Sequence, residues 1–248
     1  MITVANPVPC RACPLVGCPG LRPHEPHEIP YLERFKIGEV RLNRGEVLIE
    51  QDVTRGGLYT LLDGVMMRYR TLEDGRRQIV NFMFPGDLIG LEATFGDAAG
   101  HSVEALLAAR LCVLDSPRFF DLIAAQPSLA YDITWLAAKE ETALEEHLVA
   151  LGRRSAKERV AYLAMWLIER ARATCMASES NRLEVTITQA QIADMLGLSL
   201  VHTNRTIKAL ERQGLVRWRQ GFIEVPDLSA TAVFAHCEEA TDRPRPYL

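Results

Sequence analysis

The feature that most restricts the fold of this chain is its punctuation. From Glu39 to Val113 it is written in short alternating runs: Glu46 to Gln51, Leu58 to Leu62, Val65 to Thr71, Gln78 to Phe84, Ser102 to Leu106 and Leu111 to Leu114. Turn signals such as Asp63-Gly64, Glu73-Asp74-Gly75 and Pro85-Gly86-Asp87 separate them. Runs of this length suit strands and are too short for helices, so their succession predicts a β-barrel or jelly roll. Asp74-Gly75 marks a hairpin, because both residues tolerate the positive φ of a tight turn. After Ser116 the period changes: glycine is absent until Gly152, and Leu129, Ile133, Leu136, Leu144, Leu148 and Leu151 recur at helical spacing. A helix is therefore expected from about Pro127 to about Gly152, with Glu140, Glu141, Glu145 and Glu146 on its wetter face. A small barrel alone cannot cover a leucine stripe of that length. We expect a dimerisation helix, with packing in the chain's own core as the alternative.

Size and charge narrow the function. A chain of 248 residues allows one large or two modest domains, and we expect two. With 48% hydrophobic and 24% charged residues the composition is that of a globular protein, not a disordered or fibrous one. Lys and Arg number 28 against 32 Asp and Glu, a formal charge of -4, so contact with nucleic acid must come from a local patch. The apolar runs are too short to cross a bilayer and the N-terminus has no charged-then-apolar leader, which predicts a cytoplasmic protein with no membrane partner.

That local patch lies near the C-terminus. Gln189 to Leu196 reads as a short helix with Ile192 and Ala193 inward, Gly197 supplies the sharp reversal, Ser199 can cap, and a second helix runs from Leu200 to Gln213. This is a helix-turn-helix. Leu215 to Trp218, the turn Arg219-Gln220-Gly221 and Phe222 to Val225 add a two-stranded wing. From Leu198 to Gly221, Arg205, Lys208, Arg212, Arg217 and Arg219 stand against Glu211, a local +4 within a chain of -4. The patch coincides with the element shaped to enter the major groove. Ser199 stands at the cap, and Val201, His202, Asn204 and Arg205, near the start of the second helix, are best placed to meet base edges. Lys208, Arg212, Arg217 and Arg219 suit phosphates. A winged helix serving as a protein-interaction module is the competing reading.

The first thirty residues contain Pro7, Pro9, Pro14, Pro19, Pro23, Pro26 and Pro30, so no regular helix or central strand is expected there. Three of the six cysteines, Cys10, Cys13 and Cys18, crowd into this arm, which in a reducing compartment suggests a metal or redox site. Zinc held with His24 or His27 is one alternative, while the plain reading of those histidines is solvent-exposed loop. Cys175 and Cys237 have no close cysteine partner in sequence and read as structural, with a redox brake formed by a single exposed cysteine near the DNA-binding domain as the alternative. An enzyme is not expected. Cys10-Arg11-Ala12-Cys13 lacks the strand-helix setting of a thiol oxidoreductase, and no phosphate-cradling loop or nucleophile elbow occurs.

The order barrel, long helix, winged helix-turn-helix resembles the Crp/Fnr superfamily of bacterial transcription regulators along nearly the whole chain. Pro85-Gly86-Asp87-Leu88-Ile89-Gly90 is similar to its barrel motif, and Gln191 to Gly197 with Asn204-Arg205-Thr206 to its DNA-binding signature. The resemblance implies an α+β fold: an arm over 1–30, a cyclic-nucleotide-binding-like β-barrel over 31–126, a dimerisation helix over 127–152 and a winged helix-turn-helix domain over 153–248. It also implies a homodimer on palindromic promoter DNA that works with RNA polymerase. Cyclic AMP is disfavoured as the signal, since Leu91 replaces the family's ribose-binding glutamate and His101-Ser102 its phosphate-binding Arg-Ser. The oxygen-sensing Fnr branch holds a 4Fe-4S cluster by four cysteines, and there the resemblance falls on Cys10, Cys13, Cys18 and Cys112. The spacing Cys-x2-Cys-x4-Cys is one residue shorter in its second gap than that branch's pattern, and Cys112 also suits a buried apolar filler. A cluster, a clusterless or thiol-based sensor, and zinc all stand as readings of the arm.

Overall fold

The computed structural model describes residues 4–5, 8–54, 56–177, 180–237 and 243–248. Among the described residues, the strands and α-helix that precede the helical half are β1 (Val4–Ala5), α1 (Ile29–Phe35), β2 (Lys36–Leu42), β3 (Val47–Ile49), β4 (Leu58–Asp63), β5 (Met66–Thr71), β6 (Arg77–Met83), β7 (Leu88–Ile89), β8 (Ser102–Ala105) and β9 (Ala109–Leu114). The strands form two antiparallel sheets, in the orders β1-β2-β9-β4-β7 and β3-β8-β5-β6. Between them lie Val40, Ile49, Leu61, Met66, Ile89, Val103 and Leu111, the inward members of the alternating runs. Asp74-Gly75 does make the β5–β6 hairpin turn, where Gly75 has φ 83°.

β2 is absent from the expected strands because its alternation is disguised. Glu39 is buried, and its carboxylate accepts from the Val8 amide and meets Lys36 and Arg110. α1 begins at Ile29, inside the stretch from which proline was expected to exclude a helix. Pro30 sits in its first turn, where an amide hydrogen has no helical partner anyway.

The helical half consists of α2 (Phe119–Ala125), α3 (Pro127–Arg153), α4 (Ala156–Ala173), β10 (Arg182–Leu183), α5 (Gln189–Leu196), α6 (Leu200–Arg212), β11 (Arg217–Arg219), β12 (Phe222–Glu224) and α7 (Leu228–Ala235). The leucine stripe of α3 divides. Leu129 and Ile133 are buried against the barrel and arm and Leu136 is buried beside a cavity between the barrel and α3, while Leu148 is 70% exposed. The expected loop from Ala177 to Arg182 lies partly outside the described residues, at 178–179. The wing gains a third strand, in the order β10-β12-β11. One apolar cluster runs from Met67, Ile79 and Phe82 of the barrel through Leu163 and Leu167 of α4 to Ile192, Leu210 and Trp218, so the two halves share a core.

Candidate nucleic-acid interface

Local chemistry builds the helix-turn-helix. Thr188 caps α5 in a capping box with Gln191, whose side chain returns to the Thr188 amide. Gly197 ends α5 at φ 62°, and the Ser199 side chain accepts from the His202 amide to start α6. Ile192, Met195, Leu196, Ile207 and Leu210 are buried, which fixes the face of α6 left outside.

That outer face carries Ser199, Val201, His202, Arg205, Lys208 and Arg212, all exposed. Val201 is 63% exposed at the N-terminal end of α6, an apolar group suited to a thymine methyl. Leu200, 55% exposed beside it, is a contact candidate that sequence reasoning missed. Asn204 is half-buried and donates to the Gln189 side chain at 3.0 Å, so it also braces α6 against α5. Arg217 and Arg219 are exposed on the wing but paired, with Glu224 at 2.7 Å and Glu211 at 2.5 Å. Among the described residues, Arg205 and Lys208 make no ion pair, which leaves their charge for a phosphate or a guanine edge.

A cavity of about 590 Å³ lies between the barrel and α3, with Leu91, Glu92, His101, Leu136, Glu140 and Leu144 in its wall. Arg68 beside it is taken by Glu140, Arg245 by Asp87, and burial and then Arg68 hold the His101 pKa below its ordinary value. A phosphate here would meet cations already committed to carboxylates.

The arm packs on the outer face of β2, β9 and β4. Cys10, Cys13 and Cys112 line a cleft of about 10 Å³ together with His24, Lys36, Tyr247 and Leu248. Burial raises all three thiols, Cys10 to about 11 and Cys112 to about 12. His24 is half-buried against Tyr247, ring centroids 4.3 Å apart, instead of standing in a solvated loop, and burial lowers its pKa to about 4. His27 is exposed. Cys18 turns away to Cys175, with which it forms a disulfide across a Cα separation of 5.4 Å. Cys175 is thus not the partnerless residue its sequence setting suggested, while Cys237 is a free, half-buried thiol. A four-thiolate cluster does not fit this arrangement: the fourth donor is engaged elsewhere, and the cleft holds about one water. Among the described residues, no three His, Cys, Asp or Glu side chains gather closely enough to hold a metal ion.

Sequence reasoning also missed what joins the halves. Asp87, buried in the Pro-Gly-Asp turn, accepts from the Phe84 amide at 2.8 Å, from Arg170 of α4 at 2.6 Å and from Arg245 near the C-terminus at 2.9 Å. The motif was legible, but arginines 83 and 158 residues away were not.

A barrel sharing its core with a capped helix-turn-helix and wing defines the class, a sensor-type domain coupled to a DNA-binding domain. The comparisons agree. Residues 39–126 match the cyclic nucleotide-binding domain family and residues 158–230 the Crp-like helix-turn-helix domain family. The nitrogen fixation regulation protein FixK of Bradyrhizobium diazoefficiens is 35% identical over 85% of both chains. The transcriptional activator protein FnrL of Cereibacter sphaeroides is 26% identical over 84% of this chain and 83% of that one. The structure of FixK2 from Bradyrhizobium japonicum superposes with a TM-score of 0.69 at 25% identity, covering 82% of this chain and 98% of that one. The chain belongs to the Crp/Fnr family, and it is a DNA-binding transcription regulator, not an enzyme. Among the described residues no helix is long and apolar enough to cross a membrane.

Proposed function

We propose that the chain acts in the cytoplasm as a homodimer on palindromic promoter DNA, adjusting the access or activity of RNA polymerase. The observation that carries this reading is the outer face of α6. Arg205 and Lys208 are uncommitted there beside an exposed Val201, on a helix whose other side is fixed by burial. Val201, His202, Asn204 and Arg205 read bases; Ser199, Lys208, Arg212, Arg217 and Arg219 hold the backbone. Self-association uses the C-terminal half of α3, where Leu148 is exposed and Leu144 and Leu151 are half-buried in the single chain. In sedimentation the chain should run as a dimer, and Leu144→Glu with Leu148→Glu should run as a monomer. A wild-type monomer both with and without DNA would overturn the assignment. For the signal, the geometry supports the arm's thiols acting without a cluster, because Cys18 is withdrawn from the other three. Stoichiometric iron and sulfide in protein purified without oxygen would overturn that part.

A further inference from the structure

The arm and the DNA-binding domain meet where a chain of 248 residues brings together cysteines 157 positions apart. The meeting does not depend on the sulfurs alone. Gly20 donates to the Ala173 carbonyl at 2.9 Å, Arg245 donates back to Gly20 at 2.8 Å, and Arg22 donates to Arg245 at 2.7 Å. A Cβ on Gly20 would stand 2.4 Å from that of Ala173, so the arm lies against the last turn of α4 with no room to spare.

α4 ends in a Schellman turn, in which Met176 donates to the Ala171 carbonyl at 2.7 Å and Cys175 to Arg172 at 3.4 Å. Glycine is usual at the left-handed position of this turn. Here it is Cys175, at φ 62°. A side chain held in a conformation it rarely adopts is a pointer to function. Cys175 is exposed, Cys18 is only 7% exposed, and their Cα separation of 5.4 Å lies within the range that a disulfide spans. In a reducing compartment such bonds are mostly transient and redox-sensing.

We propose that Cys18 and Cys175 are a reversible redox site whose intrachain disulfide fastens the arm to the DNA-binding domain and weakens DNA binding. The inference rests on the DNA-binding reading above. The oxidant is a peroxide. Cys175, as thiolate, attacks one peroxide oxygen, the O–O bond breaks, and the departing hydroxide takes up the proton the thiol had released, leaving one water and a sulfenic acid on Cys175. Cys18 then attacks that sulfur, forming the S–S bond and releasing a second water, so two thiols and one hydrogen peroxide become one disulfide and two waters. A dithiol reductant reverses the change by exchange.

The sign follows from α5. In a helix-turn-helix on DNA the first helix crosses the phosphate backbone. With Cys18 and Cys175 paired, α5 is docked on β5 and β6: Asp194 pairs with Arg77, Gln78 donates to the Met195 carbonyl at 3.1 Å, and Gln191 is buried against Met67. The bond to Cys18 adds a covalent tie between the arm and the end of α4, the helix that shares a core with α5. Reduction removes the tie and leaves only these breakable non-covalent contacts to hold α5 away from the backbone.

The test uses the full chain, reduced with dithiothreitol or oxidised with one equivalent of hydrogen peroxide. Peptide mapping and a non-reducing gel locate the bond, and fluorescence anisotropy measures Kd on a duplex selected from a random library. The expected result is a Cys18–Cys175 link within one chain and a Kd at least tenfold higher than in the reduced form, restored by dithiothreitol. Cys175→Ser, and Cys175→Gly, which suits the left-handed position, should bind like the reduced wild type and ignore peroxide. A bond between other cysteines or between chains, or a mapped Cys18–Cys175 bond with unchanged Kd, overturns the proposal. If the reduced chain binds no duplex, the DNA-binding reading fails and this inference falls with it, whereas a bond that never forms defeats only the inference.

Discussion

The helix-turn-helix and the arm are ordered by opposite means. Between Thr188 and Leu210 the caps and the reversing glycine that set the turn lie within 23 consecutive residues, and distant chain enters where the buried face rests on α4 and the barrel. The arm from Val8 to Glu28 draws its order from distant chain: Glu39 for the Val8 amide, Asp132 for Arg22, Ser128 for Glu28, Ala173 for Gly20, and Tyr247 for His24. The lesson is one of placement. A recognition surface that must keep one shape is built from local interactions, and a segment that can respond to a signal is attached through separate, breakable contacts.

Breaking the long-range contacts should have the larger effects on stability. Asp87→Ala leaves Arg170 and Arg245 facing each other without their shared carboxylate and frees the buried Phe84 amide. We expect a loss of about 3–5 kcal/mol in urea unfolding, with the helix-turn-helix itself unchanged in sequence.

Acid should act next. His147 is buried, its ring 2.8 Å from the Tyr162 hydroxyl and 3.3 Å from the Asn81 side-chain oxygen, and burial lowers its pKa from the ordinary 6.5 to about 4. The unfolded chain therefore takes up the proton first. Stability is fully present above about pH 6.5 and falls between there and pH 4, by up to about 3 kcal/mol. His147→Gln should flatten that limb of the stability profile, and an unchanged slope would show that the titration belongs elsewhere.

The arm was the less legible region for the same physical reason. Proline spacing announces irregular chain and the cysteine spacing announces chemistry, but neither names Cys175, Ala173 or Arg245 as what the arm rests on. The barrel was legible through its turns, but not at β2, where a buried glutamate interrupts the pattern, nor at the two-residue edge strands β1 and β7. At the interface, exposure of α6 follows from its amphipathic spacing, whereas the pairing of Arg217 and Arg219 with Glu224 and Glu211 depends on how the wing folds back.

Perturbing the local region should leave stability intact and move DNA binding instead. Arg205→Ala is expected to lose about 1–3 kcal/mol on the selected duplex and much less on random duplexes, measured by anisotropy at fixed salt. Equal losses on both would remove Arg205 from the base-reading set. Arg217, already paired with Glu224, should show the smallest change. Arg217→Ala should weaken all duplexes alike by under about 1 kcal/mol and lower the salt slope by at most about 1.

The most direct test of the account is a titration of the reduced full chain against the selected palindromic duplex and its scrambled counterpart, with stoichiometry read from the equivalence point. We predict two chains per palindrome and a preference for it of about a thousandfold or more at physiological salt. One chain per site, or equal affinity for the two duplexes, would contradict the claim that paired α6 helices read DNA sequence.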